Sequence, residues 1–474
     1  MTARIDKESI TIGSYGFNVP CRRFLVTANV TRDRRIPVVD EFLLRVLKLC
    51  ERLPVKRLGA FFGFSTAETE AVMADLTARG MIEIEGDFAS LHSSTKEMFR
   101  GSGDGVPRMI EVDTWVDRVW FDVVSRNMMS PERQRPLPNL INIRADSDAR
   151  EMPISFVRLA FQDNFAEYLK RVRKINNPEA FGLYSVSDVQ PERYGSVTIK
   201  GLEEIVFDPQ PQIRPKLFEV GIENLARYRD LTNAMTDAYR HLWWPDPSSN
   251  GLDEFQRLSG DSSMAQSHQD QVFDLGGWLS RNEGIGKEWQ PIVGASYLDK
   301  NVLSLINLIA VAPDPPTDAA TRVEVPLVWI RPGGSAWGTS PDLQGAIAAI
   351  RGSIRAKSPK AALRTTVVMP SIIQREAAKR FNRIFDEGYI APRGYFSPAI
   401  ETILIGDMAA LVSVRVAFSP TVSASVGFIT INGSSVRRIK DGVRWESTRS
   451  RAEECWNTPR QKAEEETDHW TEGD

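Results

Sequence analysis

The sequence predicts a mixed α/β chain built from several domains. Its 474 residues, 42% of them hydrophobic, exceed what a single core organises. Near the N-terminus three helical segments run directly into a two-stranded hairpin. From Pro291 to Glu387 strand and helix signals alternate, which is the pattern of a largely parallel sheet with helices on its faces.

The elements follow in order. Ile10–Asn29 alternates apolar and polar residues and reads as a strand. A helix from about Val39 to Leu53 places Phe42, Leu43, Val46, Leu47 and Cys50 on one face, and Pro54 stops it. Val55–Phe62 is a second helix. Ser65 and Glu68 form a capping box for a third, which runs to Arg79 with Gly80 beyond its end. Met81–Glu85 and Phe88–His92 are the hairpin. Ile110–Val124 is apolar and Ser130–Pro153 is a polar loop. Ile154–Phe161 reads as a strand, followed by a helix ending in Lys170-Arg171-Val172-Arg173-Lys174. Phe181–Val186, Ser196–Lys200 and Glu204–Phe207 read as short strands, and Ile222–Leu242 as a helix.

Pro245–Gln269 is polar and reads as a linker. Beyond it come strands at 291–297, Val323–Ile330 and Arg364–Met369. Helices fall at Asn301–Ala310, Pro341–Arg355 and Ile372–Glu387. Ile400–Asp407, Leu411–Phe418 and Ser423–Ile431 are further strands, and a short helix closes on Trp445. The domains expected are therefore 1–100, a middle α/β region 101–245, a linker with a connecting helix 246–285, a lobe 286–447, and an acidic disordered tail 448–474.

Composition excludes several classes. Cys21, Cys50 and Cys455 are far apart, and the four histidines are scattered, so neither a disulfide framework nor a His/Cys metal site is expected. No stretch is apolar enough to span a bilayer, and the N-terminus is polar, so a cytoplasmic chain without membrane contact is expected. Between Arg331 and Trp445, sixteen Lys and Arg face seven Asp and Glu. That segment is +9 in a chain of −3, and the remainder is −12. Such asymmetry points to a polyanionic partner, DNA or RNA.

Arg375, Lys379 and Arg383 are spaced to form one stripe on the helix expected at Ile372–Glu387, with Arg380 beside it. Arg351 and Arg355 repeat the spacing on the preceding helix, and Arg437, Arg438 and Lys440 form a basic turn near the end. These nine residues are the candidate nucleic-acid contacts. Gly333, Gly334, Ser335, Gly338, Thr339 and Ser340 lie in a loop that imitates a phosphate-binding loop, but Thr339 occupies the lysine position. The loop is a candidate anion site through backbone N–H groups. No cofactor and no catalytic residue is expected.

Val38–His92, with three helices and a hairpin in this order, resembles the winged-helix DNA-binding superfamily. Its third helix would then enter the major groove, yet it presents Glu68, Glu70 and Asp75. Residues Lys287–Glu446 resemble a phospholipase D-type lobe, whose family motif is His-x-Lys-x4-Asp on the first strand. With Asp407 on the family aspartate, Ile400 and Thr402 stand where the histidine and lysine would be. The resemblance implies an inactivated lobe. The combination resembles accessory proteins of bacterial nucleic-acid-handling or antiphage defence systems, which act with other protein subunits. Three functions follow from these readings: a non-catalytic nucleic-acid-binding subunit, a ligand-sensing transcription regulator, and a divergent metal-dependent nuclease.

Overall fold

The computed structural model describes residues 9–99, 107–129, 136–145, 151–207, 210–216, 228–247, 249–270, 272–282, 286–313 and 323–458. β1 (Ile10–Arg35) is a single strand of 26 residues. It leads into a compact unit in which helix Val38–Cys50, β2 (Arg52–Pro54), helix Val55–Phe62 and helix Thr66–Ala78 are followed by β3 (Ile82–Glu85) and β4 (Phe88–Leu91). The strands pair antiparallel in the order β2-β4-β3. The capping box is present: the Glu68 amide donates to Ser65 Oγ at 3.3 Å, and the Ser65 amide donates to Glu68 Oε2 at 2.8 Å. Gly80, at φ 66°, turns the chain out of the helix. Leu43, Leu44, Leu47, Leu58, Met73 and Leu76 fill this unit's core.

The chain returns to the middle region as β5 (Arg108–Asp122), β6 (Met128–Met129), β7 (Ile141–Asn142), β8 (Phe181–Val206) and β9 (Gln212–Lys216). The sheet order is β6-β5-β1-β8-β9, with β7 against β1. β1 is thus the central strand of the middle sheet, and the small unit is an excursion between β1 and β5. Two expectations change here. The three short strands expected between Phe181 and Phe207 are one strand, because β1 supplies a continuous partner from Ile10 to Arg32 and the irregularity around Pro191 is absorbed as a bulge. Ile154–Asp163 is a helix, not a strand. Its Val157 and Phe161, with Phe165 and Leu169 on the next helix (Phe165–Arg171), repeat every four residues and pack onto Phe24, Val26 and Phe121. The helix expected at Ile222–Leu242 is described from Arg229 to Arg240, and residues 217–227 lie outside the described residues.

The segment expected to be a linker is folded. Ser249–Ser259, Ser263–Gln266 and Leu275–Arg281 are helices, and β10 (His268–Gln269) pairs with β11 (Val272–Phe273). Phe255, Leu258, Met264 and Trp278 are all buried in the lobe. The polar residues of this stretch face outward, and the apolar ones recur at helical spacing.

The lobe is an eight-stranded sheet of β12 (Trp289–Val293), β13 (Val323–Ile330), β14 (Ala361–Met369), β15 (Glu387–Ile390), β16 (Ile400–Ile405), β17 (Ala409–Ser419), β18 (Val422–Thr430) and β19 (Glu453–Asn457). Its order is β12-β18-β17-β16-β13-β14-β15-β19. β13, β14 and β15 run parallel, and the other pairs are antiparallel, so the sheet is mixed, with its parallel part on the side that β19 closes. One face carries Trp329, Val367, Ile403 and Leu411 against helices Asp299–Val311 and Asp342–Lys357. The other carries Val328, Val368, Leu404 and Val412 against the 249–281 helices and helix Gly433–Val443. β19 lies in the stretch expected to be a disordered tail, and residues 459–474, with Glu464, Glu465 and Glu466, lie outside the described residues. Among the described residues no helix is long and apolar enough to cross a membrane. The mixed α/β, multidomain class is as expected.

Phe255→Ala tests the folded state of the 249–281 segment. Loss of a fully buried phenyl ring should cost about 3–5 kcal/mol in urea unfolding, whereas an unchanged midpoint would return the segment to a linker.

Candidate nucleic-acid interface

β16 alternates between the two faces of the lobe sheet, and this sorts the residues around the expected motif. Ile400 and Thr402 are fully buried on one face, and Glu401 points to the other. Asp407 is exposed and takes Lys440 at 2.6 Å. The strand therefore presents no nucleophile beside Asp407. Among the described residues no three His, Cys, Asp or Glu converge as a metal-holding group.

Glu401 is 2% exposed, and its Oε1 accepts from Ser296 Oγ at 2.7 Å, Trp329 Nε1 at 2.8 Å and Trp337 Nε1 at 2.7 Å. Burial still pushes its carboxyl above the usual range, against the pull of those three donors and of the Arg331 charge.

The expected basic stripe does not form. Ile372–Glu387 is not one helix: a single turn, Arg375–Ala378, passes into a 3-10 turn, Lys379–Phe381, and the chain then enters β15. Asp386 causes this exit, accepting from both the amide and the hydroxyl of Thr365 at 2.8 Å and so drawing the chain to the sheet. Arg375 meets Glu453 at 3.6 Å, Lys379 meets Glu376 at 2.8 Å, and Arg351 meets Asp386 at 3.6 Å. Arg380 folds back, half-buried, over Phe381. Arg355 and Arg383 are exposed and make no ion pair among the described residues. Arg437, Arg438 and Lys440 sit on helix Gly433–Val443, across the sheet from the other six. The nine residues are thus divided between two faces.

Several N–H groups of the Gly-rich loop and of the helix start after it already have protein acceptors and are not available to an anion. Gly333 donates to the Pro398 carbonyl at 2.7 Å, Ala336 to Trp243 at 3.2 Å, Gly338 to Tyr297 Oη at 3.3 Å, and Asp342 to Ser340 Oγ at 3.1 Å. Gly334, at φ 95°, lets the loop approach the Trp243 carbonyl, where a Cβ would sit at 2.5 Å. Thr339 and Ser340 are buried against β1.

The middle sheet holds a group that sequence reasoning missed. Trp120 on β5 stands opposite Arg23 on β1, with the guanidinium 5.6 Å from its ring. Arg193, in the bulge of β8, lies 5.7 Å from the same ring. Arg23 and Arg118 both pair with one carboxylate, Glu192. Gly195 is packed beneath the ring, where a Cβ would lie 2.6 Å from it. On the opposite face Arg22 lies between Phe24 and the exposed Tyr194. The signal was present as the Arg22-Arg23-Phe24 and Arg193-Tyr194 sequences, but only the register joins them.

On the helix Thr66–Ala78, Glu68, Glu70 and Asp75 are all exposed as expected. Glu68 is held in the capping box, which keeps its carboxyl below the usual range, and Asp75 is tied to Arg79 at 2.7 Å. The same unit exposes Val38, Val39, Phe42 and Phe61.

No protein-family model and no curated protein matches the chain. Among solved structures it is similar to TrmBL2, an archaeal chromatin protein described as showing a novel mode of DNA binding. The identity is 9%, over 50% of this chain and 72% of that one, with a TM-score of 0.23. At that TM-score the likeness transfers neither fold nor function.

The raised carboxyl of Glu401 gives a pH test. Between the ordinary carboxylate value and the raised folded value, the folded state holds a proton that the unfolded state has lost. Its contribution to stability is full below the ordinary value and falls as pH rises through the folded one. Glu401→Gln keeps an acceptor oxygen without the charge, so in urea melts from about pH 5 to about pH 8 it should gain on wild type as pH rises. A difference that stays flat across that range would contradict the assignment.

Proposed function

We propose that the chain is a non-catalytic nucleic-acid-binding accessory protein that works beside other subunits, in a bacterial defence or nucleic-acid-processing system. In this reading the 38–92 unit is a winged helix, and the lobe is a phospholipase D-like scaffold without the chemistry. The observation that carries it is the Trp120 group. An indole with Arg23 and Arg193 against its ring combines a stacking surface with guanidinium groups of the kind that pair with phosphates. Arg355 and Arg383 add exposed positive charge on the lobe. The winged unit is assigned to protein contact: its third helix is acidic and would be repelled by phosphates, and its first two helices expose apolar side chains.

Binding of this kind depends on backbone charge and on stacking, so it is salt-sensitive and nearly blind to sequence. Arg193→Ala, at an exposed position with no ion pair among the described residues, should reduce the log–log salt slope by about one unit, for the one phosphate no longer neutralised, in titrations with single-stranded and duplex DNA and RNA. Trp120→Leu should weaken single strands by about 1–3 kcal/mol and duplex less. Arg375→Ala and Lys379→Ala, whose charges are already paired, serve as the comparison and should leave the slope unchanged. Wild-type affinity and slope in the Arg193 variant would sink the reading.

The lobe is expected to leave a generic phosphodiester intact in the absence of metal, since attack requires a nucleophile and β16 offers only Ile400 and Thr402, both buried. Metal-independent cleavage that disappears in Asp407→Ala would overturn the non-catalytic assignment.

A further inference from the structure

Arg331 stands at the carboxyl end of β13, and Arg380 comes from the segment that follows β14. In α/β sheets this is where ligand sites form, outside the carboxyl ends of adjacent parallel strands. Arg331 is 2% exposed, and its guanidinium carbon lies 4.8 Å from the Trp337 ring and 5.6 Å from the Phe381 ring. The Arg380 guanidinium lies 4.7 Å from the same Phe381 ring. Two cations therefore share one aromatic wall, and neither forms an ion pair with a carboxylate among the described residues.

Backbone carbonyls hold part of each group. Arg331 donates through Nε to the Pro332 carbonyl at 3.0 Å and through Nη2 to that of Gly334. Arg380 Nη2 makes only long contacts, 3.4 Å to the Ser335 carbonyl and 3.5 Å to that of Trp337. Arg331 Nη1 and Arg380 Nε are buried donors without a protein acceptor. Leaving such donors unmatched between two like charges is costly. The strain shows in Arg331, whose guanidinium is pushed below its usual range by burial and by the Arg380 charge. A dianion between the two groups would answer both the charge and the unmatched donors.

We propose that Arg331 and Arg380 form a binding site for a terminal phosphate group, a phosphomonoester, with Arg331 at its floor and Arg380 at its mouth. Two guanidinium forks match the charge and oxygen geometry of a phosphate dianion. This inference is independent of the Trp120 surface, which lies on the middle sheet.

The test uses the full chain with inorganic phosphate, a mononucleotide 5′-monophosphate, and oligonucleotides carrying either a 5′-phosphate or a 5′-hydroxyl. Calorimetric titration and thermal unfolding are read at constant ionic strength. Wild type should bind phosphate saturably and melt higher with it. A preference for the mononucleotide marks a free phosphomonoester as the ligand, and a preference for the 5′-phosphorylated over the 5′-hydroxyl oligonucleotide marks a nucleic-acid end. Arg380→Gln, at a half-buried position, should weaken phosphate binding by about tenfold or more. Without ligand it should melt at or above wild type, because a like charge beside Arg331 is gone. If the arginines only staple the loop carbonyls, Arg380→Gln melts lower and phosphate has no effect on either protein. That result, or equal phosphate affinity in both, overturns the proposal. Arg380→Lys, which keeps the charge and loses the fork, should fall between the two.

Discussion

A single carboxylate joins the parts of the lobe. Glu401 is buried on β16 and takes donors from the turn after β12, from β13 and from the Gly-rich loop. None of these is adjacent to another in sequence. A buried carboxylate without donors is too costly to keep, so Ser296, Trp329 and Trp337 must all be in place when the core closes. The indoles do more than donate. Trp329 and Trp337 meet edge to face at 5.8 Å, and Trp337 meets Phe381 at 5.4 Å. The same packing that satisfies Glu401 builds the aromatic wall on which Arg331 and Arg380 lie.

β1 connects this lobe to the middle sheet. The amide of Ala295 donates to the Ile12 carbonyl, and the amide of Gly16 to the Thr339 carbonyl, both at 2.7 Å. Gly294 is required at this crossing: it sits at φ 89°, and a Cβ there would lie 2.6 Å from the Ile12 backbone. Asn139 adds hydrogen bonds to the carbonyls of Gly338 and Ser340, and Lys200 pairs with Asp342 at 2.8 Å. The Gly-rich loop is thus an internal joint, several of whose polar groups are matched across the junction. Its resemblance to a phosphate loop comes from its glycines, which serve close packing.

Charge also looks different once the chain is folded. The +9 of residues 331–445 includes Arg331 and Arg415, which are buried, and Arg364, which pairs with Glu387 at 2.9 Å. Several of the rest meet acids, some from outside the segment, as Arg375 meets Glu453. A sequence excess becomes a surface field only where the groups stay exposed and unmatched. The Trp120 surface lies instead in the half of the chain that the count makes negative.

Local physics was legible in the sequence. The capping box at Ser65, the stop at Gly80 and the strands at Val323–Ile330, Ile400–Ile405, Ala409–Ser419 and Val422–Thr430 follow from residue type and spacing over a few positions, and they appear within a residue or two of expectation. That Ile400 and Thr402 supply neither an imidazole nor an ammonium group was equally plain. Helical spacing was also present at Val157–Phe161 and at Leu252–Phe255–Leu258, where polar composition and short apolar runs misled the assignment. Other features depended on partners distant in sequence. The stripe at Arg375–Arg383 has helical spacing, yet Asp386 binds Thr365 and pulls the chain into a strand. The three segments of β8 became one strand because β1 lay alongside. The Trp120 group and the Arg331–Arg380 pair exist only through register and loop packing, because each joins residues that no local pattern relates.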